Sequence, residues 1–217
     1  MKTITKINLG VSAAVLLVVA AVIAVTTSQS TPATESPAAA VSTLESNTHR
    51  LDVAADGEVT LVEFLDFECE VCGAVYPYIE QLREEYAGQV TFATRYFPLP
   101  GHRNSENAAV AVEAAAQQDQ FEAMYDKMFQ TQATWGESQD SKADLFRTFA
   151  EEIGLDLEQY DADVADPETL ERVQSDFTAG RELGVEGTPT IFVNDEMIEL
   201  QQLEDIKAAL EAALAAS

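Results

Sequence analysis

The chain is poor in cysteine, histidine and basic residues. Its 217 residues include two Cys, two His and 12 Lys+Arg, set against 38 Asp+Glu. Two cysteines make at most one disulfide, and they fall short of the four ligands of a Cys-only structural zinc site. The scarcity of Lys and Arg leaves a formal net charge of −26. A surface that anionic repels phosphate, which excludes non-specific nucleic-acid binding. Apolar residues are not lacking: at 47% hydrophobic the chain has material for a core, and wholesale disorder is excluded. No internal repeat is visible.

The charge is unevenly placed. Up to residue 45, Lys2 and Lys6 cancel Glu35 and Glu45, so the whole excess falls on residues 46–217. It reads as a solvated acidic face, with adaptation to high external salt as the sharper alternative. After residues 1–6, the expected cytoplasmic N-terminus, Ile7–Val25 is uncharged and apolar but for Asn8 and Ser12. As a helix this run is about 28 Å long, close to a bilayer core and longer than the apolar region of most cleaved signals. A single-pass anchor is expected in the cell membrane, in contact with the lipid bilayer and with the lysines inside. A cleaved signal is the alternative, and both readings export the rest of the chain. Residues 26–47, rich in Ser, Thr, Pro and Ala, read as a flexible spacer before one domain at 48–217, whose first core residue is near Leu51.

Within that domain Val59–Phe67 (VTLVEFLDF) is a β-rich apolar run, expected as a strand buried on both faces. Cys72, Val75, Tyr76, Ile79, Leu82 and Tyr86 follow helical spacing, with Gly88 placed to end the helix. Val90–Phe97 is a second strand, so a parallel βαβ unit is expected. Helical stripes follow from Asn107 onward: Phe121/Met124/Tyr125/Met128/Phe129, then Leu145/Phe146/Phe149/Ile153 ended by Gly154. A further helix opened by Asp166-Pro167 runs to about Leu183. Ile191–Asn194 and Met197–Leu200 read as paired strands, and Leu203, Ile206, Leu210 and Leu214 mark a last helix.

Cys69-Glu70-Val71-Cys72 stands where the buried strand becomes a helix. The i, i+3 spacing puts both sulfurs on one face, near enough for a disulfide. A helix N-terminus lowers the pKa of Cys69, while Cys72, one turn inside, suits a resolving role. Export favours redox use of the pair over a metal site, for which only His49 and His102 remain, or over a static disulfide, which would close too short a loop to restrain the unfolded chain much. Glu63 shares a strand face with Val59, Leu61, Leu65 and Phe67. A carboxylate there should have a raised pKa and could carry the proton of the deeper cysteine; pairing with a base or escape to solvent are the alternatives. Gly187-Thr188-Pro189-Thr190 leads into the Ile191 strand.

On these motifs, together with Phe67-Glu68 before the cysteines and Pro77 in the helix after them, the chain resembles the DsbA-like thiol:disulfide oxidoreductases of the thioredoxin superfamily. The details resemble membrane-anchored, exported members. The resemblance implies an α/β thioredoxin-like fold, βαβ and ββα halves with a helical subdomain inserted at about 102–183. It implies a redox-active Cys69–Cys72 disulfide, with Cys69 attacking and Cys72 resolving. Glu63 becomes the buried proton relay and Pro189 a cis-proline facing the disulfide. Thr188 offers its backbone to an extended substrate. No cofactor and no metal are implied. The partners would be exported proteins with cysteines and a membrane redox partner. Strongly oxidising members carry Pro-His between the cysteines. Here Glu70-Val71 places a carboxylate beside Cys69, which predicts a less oxidising couple and leaves oxidase, reductase and isomerase directions open. A thiolate metallochaperone is the alternative from another class.

Overall fold

The computed structural model describes residues 42–55 and 57–217. The expected N-terminus, the anchor at 7–25 and the first part of the spacer lie outside the described residues. Among those described, no helix is long and apolar enough to cross a membrane.

Among the described residues, five strands form one mixed sheet in the order β1-β3-β2-β4-β5: β1 His49–Asp52, β2 Thr60–Leu65, β3 Thr91–Tyr96, β4 Thr190–Val193 and β5 Glu196–Met197. The central strand β2 is parallel to β3, with Thr60 opposite Thr91 and Leu65 opposite Tyr96. It is antiparallel to β4, with Glu63 opposite Ile191. From Leu61 to Leu65 every β2 residue is buried, as its unbroken apolar run requires of a strand covered on both faces. Helix α1 (Glu70–Glu85) makes the crossover from β2 to β3, and Gly88 leaves it with φ +74, a conformation that favours glycine.

One face of the sheet packs Val59, Leu61, Phe92 and Ile191 against Val75, Ile79 and Leu82 of α1 and Ile206 and Leu210 of the last helix, α7 (Glu204–Ala216). The opposite face packs Val62, Phe64 and Phe192 against Phe97 and Phe177. Between β3 and β4 the chain builds α2 (Ser105–Ala116), α3 (Phe121–Thr131), α4 (Ala143–Glu152), α5 (Leu157–Ala165) and α6 (Pro167–Glu182). Asp166 caps α6 by accepting from the Glu168 amide, and Pro167 takes the first turn, where no amide hydrogen is needed. The apolar stripes of α3 and α4 meet Ala108 and Val112 of α2 in a separate core, and Leu65, Phe67, Cys69 and Cys72 border that core. The cysteines therefore lie where the sheet core passes into the helical one.

Several elements differ from expectation. Strand β1 has only four residues, three of them polar, and owes its place to antiparallel pairing with β3. Helix α5 buries Tyr160 alone, too thin a stripe to announce a helix. The Met197–Leu200 strand shrinks to the two residues of β5. Thr43, in the segment that composition assigns to the spacer, is buried and bonded to Asp195. Arg95 also donates to the Ser42 and Thr43 carbonyls, so packing of the fold starts ahead of β1.

Candidate active site

Strand β2 ends at Leu65, and a short turn through Asp66 and Glu68 delivers Cys69 as the N-cap of α1, with Cys72 in its first turn. The Cys69 amide donates to Asp66 O at 3.1 Å, and Cys69 O accepts from Gly73 N at 3.0 Å. Cys69 keeps 5% of its surface exposed and Cys72 none. Both are free thiols here. The Thr188–Pro189 bond is cis, and the Thr188 carbonyl lies 3.4 Å from Cys69 Sγ. The cysteines, Thr188 and Pro189 thus meet at one place, although 119 positions separate Cys69 from Thr188.

The two thiols are driven in opposite directions. Cys69 falls from 9.0 to about 5, chiefly because the Cys72 thiol donates to its sulfur. Burial opposes this fall. The Thr188 side chain and the backbone amides of Cys72 and Val71 add to it. Cys72 is pushed well up, first by burial, then by giving its hydrogen to Cys69 and by the charges of Glu63 and Cys69. Glu63, 3% exposed, rises from 4.5 to about 8, mainly through desolvation and next through the charge of Cys69. Neighbouring Glu70 and Val71 are exposed, and Glu70 is not among the leading influences on Cys69. The sequence leaves open whether Glu70 or the helix terminus prevails at Cys69; the leading influences in the folded chain are hydrogen bonds to the sulfur and burial. Hydrogen bonds aimed at the sulfur outweigh a carboxylate that water screens.

A second layer of polar groups was not foreseen. Asp66, 2% exposed, accepts from Glu68 N at 2.9 Å, Leu99 N at 3.0 Å and His102 Nδ1 at 2.6 Å. Burial disfavours a charged His102 ring, but the bond to Asp66 outweighs it and the pKa is raised. Glu68, 1% exposed, accepts from the Asn104 amide. The Asn104 side chain holds the carbonyls of Ser138 and Asp140 at 3.1 Å. These contacts tie the turn before Cys69 to the start of α2 and to the loop before α4. Two acids at the end of a strand resemble ordinary surface charge in a sequence, and no short-range pattern marks their long-range partners. Glu70, His102 and Glu137 bring ligand atoms within 4.8 Å of one another beside this turn, with both carboxylates exposed. The sulfur chemistry uses neither of these carboxylates.

Residues 54–212 match the family model described as Thioredoxin. A thioredoxin-like oxidoreductase from Silicibacter pomeroyi superposes with a TM-score of 0.67 at 27% identity, covering 82% of this chain and 98% of that one. BdbD from Bacillus subtilis (TM-score 0.66, 24% identity, 76% and 91% covered) and DsbA from Xylella fastidiosa (0.62, 21%, 74% and 88%) share the fold. Among sequences, a segment of the Na(+)/H(+) antiporter NhaA 3 of Salinispora tropica is 35% identical over 164 residues, 75% of this chain and 24% of that protein. NhaA of Herminiimonas arsenicoxydans is 32% identical over 158 residues, 72% of this chain and 24% of that protein. The chain spans about a quarter of the length of the curated relatives it matches. The chain shares the fold of the DsbA structure, and the match over residues 54–212 places it in the thioredoxin family.

Proposed function

We propose that the chain is an extracytoplasmic protein thiol:disulfide oxidoreductase that passes the Cys69–Cys72 disulfide to cysteine pairs of exported proteins. In this reading residues 7–25 form a single-pass anchor with the N-terminus in the cytoplasm. A membrane redox partner re-forms the disulfide. The antiporter relatives, which by their names are ion transporters, support a membrane setting.

The observation that carries the reading is the meeting of Cys69, at the start of α1, with Cys72 and the cis Thr188–Pro189 bond, and the opposed shifts of the two thiols support it. A client thiolate attacks Cys69 Sγ in the disulfide. The Cys69–Cys72 bond breaks, a Cys69–client bond forms, and Cys72 leaves with the electron pair. Cys72 holds a proton tightly and Glu63 is protonated at neutral pH, so the proton passes from Glu63 to Cys72. The second client thiolate then attacks the client sulfur. Cys69 leaves as a thiolate, the client gains one disulfide, and the site is left with a Cys69 thiolate, a Cys72 thiol and a Glu63 that takes its proton back from water. Because Cys69 is a stable thiolate, the reduced form is favoured and the disulfide is readily given up, which supports the oxidase direction over reductase or isomerase. Thr188, whose carbonyl lies beside Cys69 Sγ, would line the client peptide in extended form.

Equilibrium with glutathione tests the direction. The potential is expected nearer the roughly −120 mV of a strong oxidant than the roughly −270 mV of a reductant. Cys72→Ser should retain exported clients as mixed disulfides on Cys69. A potential at the reducing end overturns the direction, and a variant that traps no client overturns the function.

A further inference from the structure

Gln132 opens the 3-10 turn Gln132–Thr134 directly after α3. Its Nε2 donates to Phe67 O and to Cys69 O, both at 2.8 Å. The two carbonyls flank Glu68, so one amide spans the turn that presents Cys69. The Gln132 backbone is itself held: its carbonyl accepts from Trp135 N at 3.0 Å and Gly136 N at 2.8 Å. Trp135 is buried edge-on to Phe146 at 4.9 Å, which fixes the turn to the helical core. On the other side stands Gly73 of α1. A Cβ there would lie 2.0 Å from Gln132 Oε1 and 2.8 Å from Cδ, so the amide occupies space that only a glycine leaves.

We propose that Gln132 is a positioning residue of the redox site, an amide clip by which the helical insertion holds the Phe67–Cys69 turn and aims the first turn of α1 at the Cys69 sulfur. The inference rests on the proposed thiol–disulfide function and adds a residue to it. The amide gives Phe67 O a donor and adds a second to Cys69 O, which already accepts from Gly73 N, and so takes up part of the negative charge that these carbonyls present to the turn carrying the thiolate. The same bonds hold the N-cap geometry in which the Val71 and Cys72 amides point at Sγ. Gly73 has a matching part: it keeps the space open.

The test uses the full chain in its reduced form, with Gln132→Ala, Gln132→Glu, Gly73→Ala and the Gly73→Ala/Gln132→Ala double variant. The readouts are the thiolate absorbance titration of Cys69, its alkylation rate against pH and the urea midpoint. Gln132→Ala should raise the Cys69 titration midpoint by about one unit, so that alkylation at about pH 5 falls roughly fivefold. Gln132→Glu keeps the shape but sets a carboxylate against two carbonyls, and should shift the midpoint at least as far. Gly73→Ala should reproduce Gln132→Ala by expelling the amide, and in the double variant the two effects should not add. Midpoints that stay at the wild-type value while the urea midpoint falls make Gln132 a stability residue only and overturn the proposal. So does a Gly73→Ala effect that adds in full to Gln132→Ala. Shifted midpoints in a protein that exchanges disulfides with no client leave the clip standing and refute the proposed function instead.

Discussion

Replacing Glu63 by Gln isolates the cost of keeping a carboxyl group beneath the dithiol. Burial raises Glu63 to about 8 in the folded reduced protein, from an ordinary 4.5. The unfolded chain therefore releases this proton from about pH 4.5 upward, while the folded chain holds it until about pH 8. Between those values the unfolded state binds fewer protons, so stability falls as pH rises. The penalty is near zero below 4.5, reaches about 3 kcal/mol at pH 7 and levels off at about 5 kcal/mol above pH 8. Glu63→Gln removes this slope. Its amide must still find partners in the same place, at a cost of about 1–3 kcal/mol that does not change with pH, so the slope and not the offset carries the test. Urea unfolding of both reduced proteins at about pH 5, 7 and 9 should show the variant gaining on the wild type by about 3 kcal/mol or more across the series. The Cys69 charge is the second cause of the shift, so the gain should shrink when both proteins are oxidised. The variant should also exchange disulfides more slowly, having no proton to give Cys72. Stability curves that run parallel with pH, together with an unchanged exchange rate, would refute the argument that Glu63 is a desolvated proton store.

Cys72→Ala removes the largest influence lowering Cys69, so the alkylation midpoint should move up from about 5; an unmoved midpoint shows that the backbone amides suffice. Gly180 of α6 lies against Phe97 and Phe64, and an added Cβ would stand 2.9 Å and 3.0 Å from their rings. Gly180→Ala should cost about 1–3 kcal/mol in urea unfolding, and a neutral result means the aromatic pair can yield. The raised pKa of His102 makes its bond to Asp66 stabilising below its unfolded value of about 6.5, with the gain fading as pH rises through the higher folded value. Thermal midpoints of His102→Gln should therefore fall short of wild type in mild acid and converge with it in alkali. A constant gap across pH argues against the charged ring.

What was legible in the chain was what neighbouring residues decide. The apolar run around Phe64 needed two covering faces, and the stripe Val75-Ile79-Leu82 needed one. Asp166-Pro167 opened a helix and Gly88 followed the end of another. What stayed hidden depends on distant partners. His49–Asp52 becomes a strand only because Phe92–Thr94 offers it an edge. Thr43 is ordered by Asp195, from the turn between β4 and β5.

The same division runs through the site. The sequence alone placed two cysteines one helical turn apart at the end of a buried strand and a carboxylate on that strand's inner face, because periodicities of two and 3.6 fix which side chains share a face. The balance of charge on Cys69 was decided by the tertiary structure. Sequence proximity favoured Glu70, but water screens an exposed carboxylate. Folding brings the Cys72 thiol to the sulfur and the Gln132 amide to the backbone around it, where hydrogen bonds act at short range with little water between.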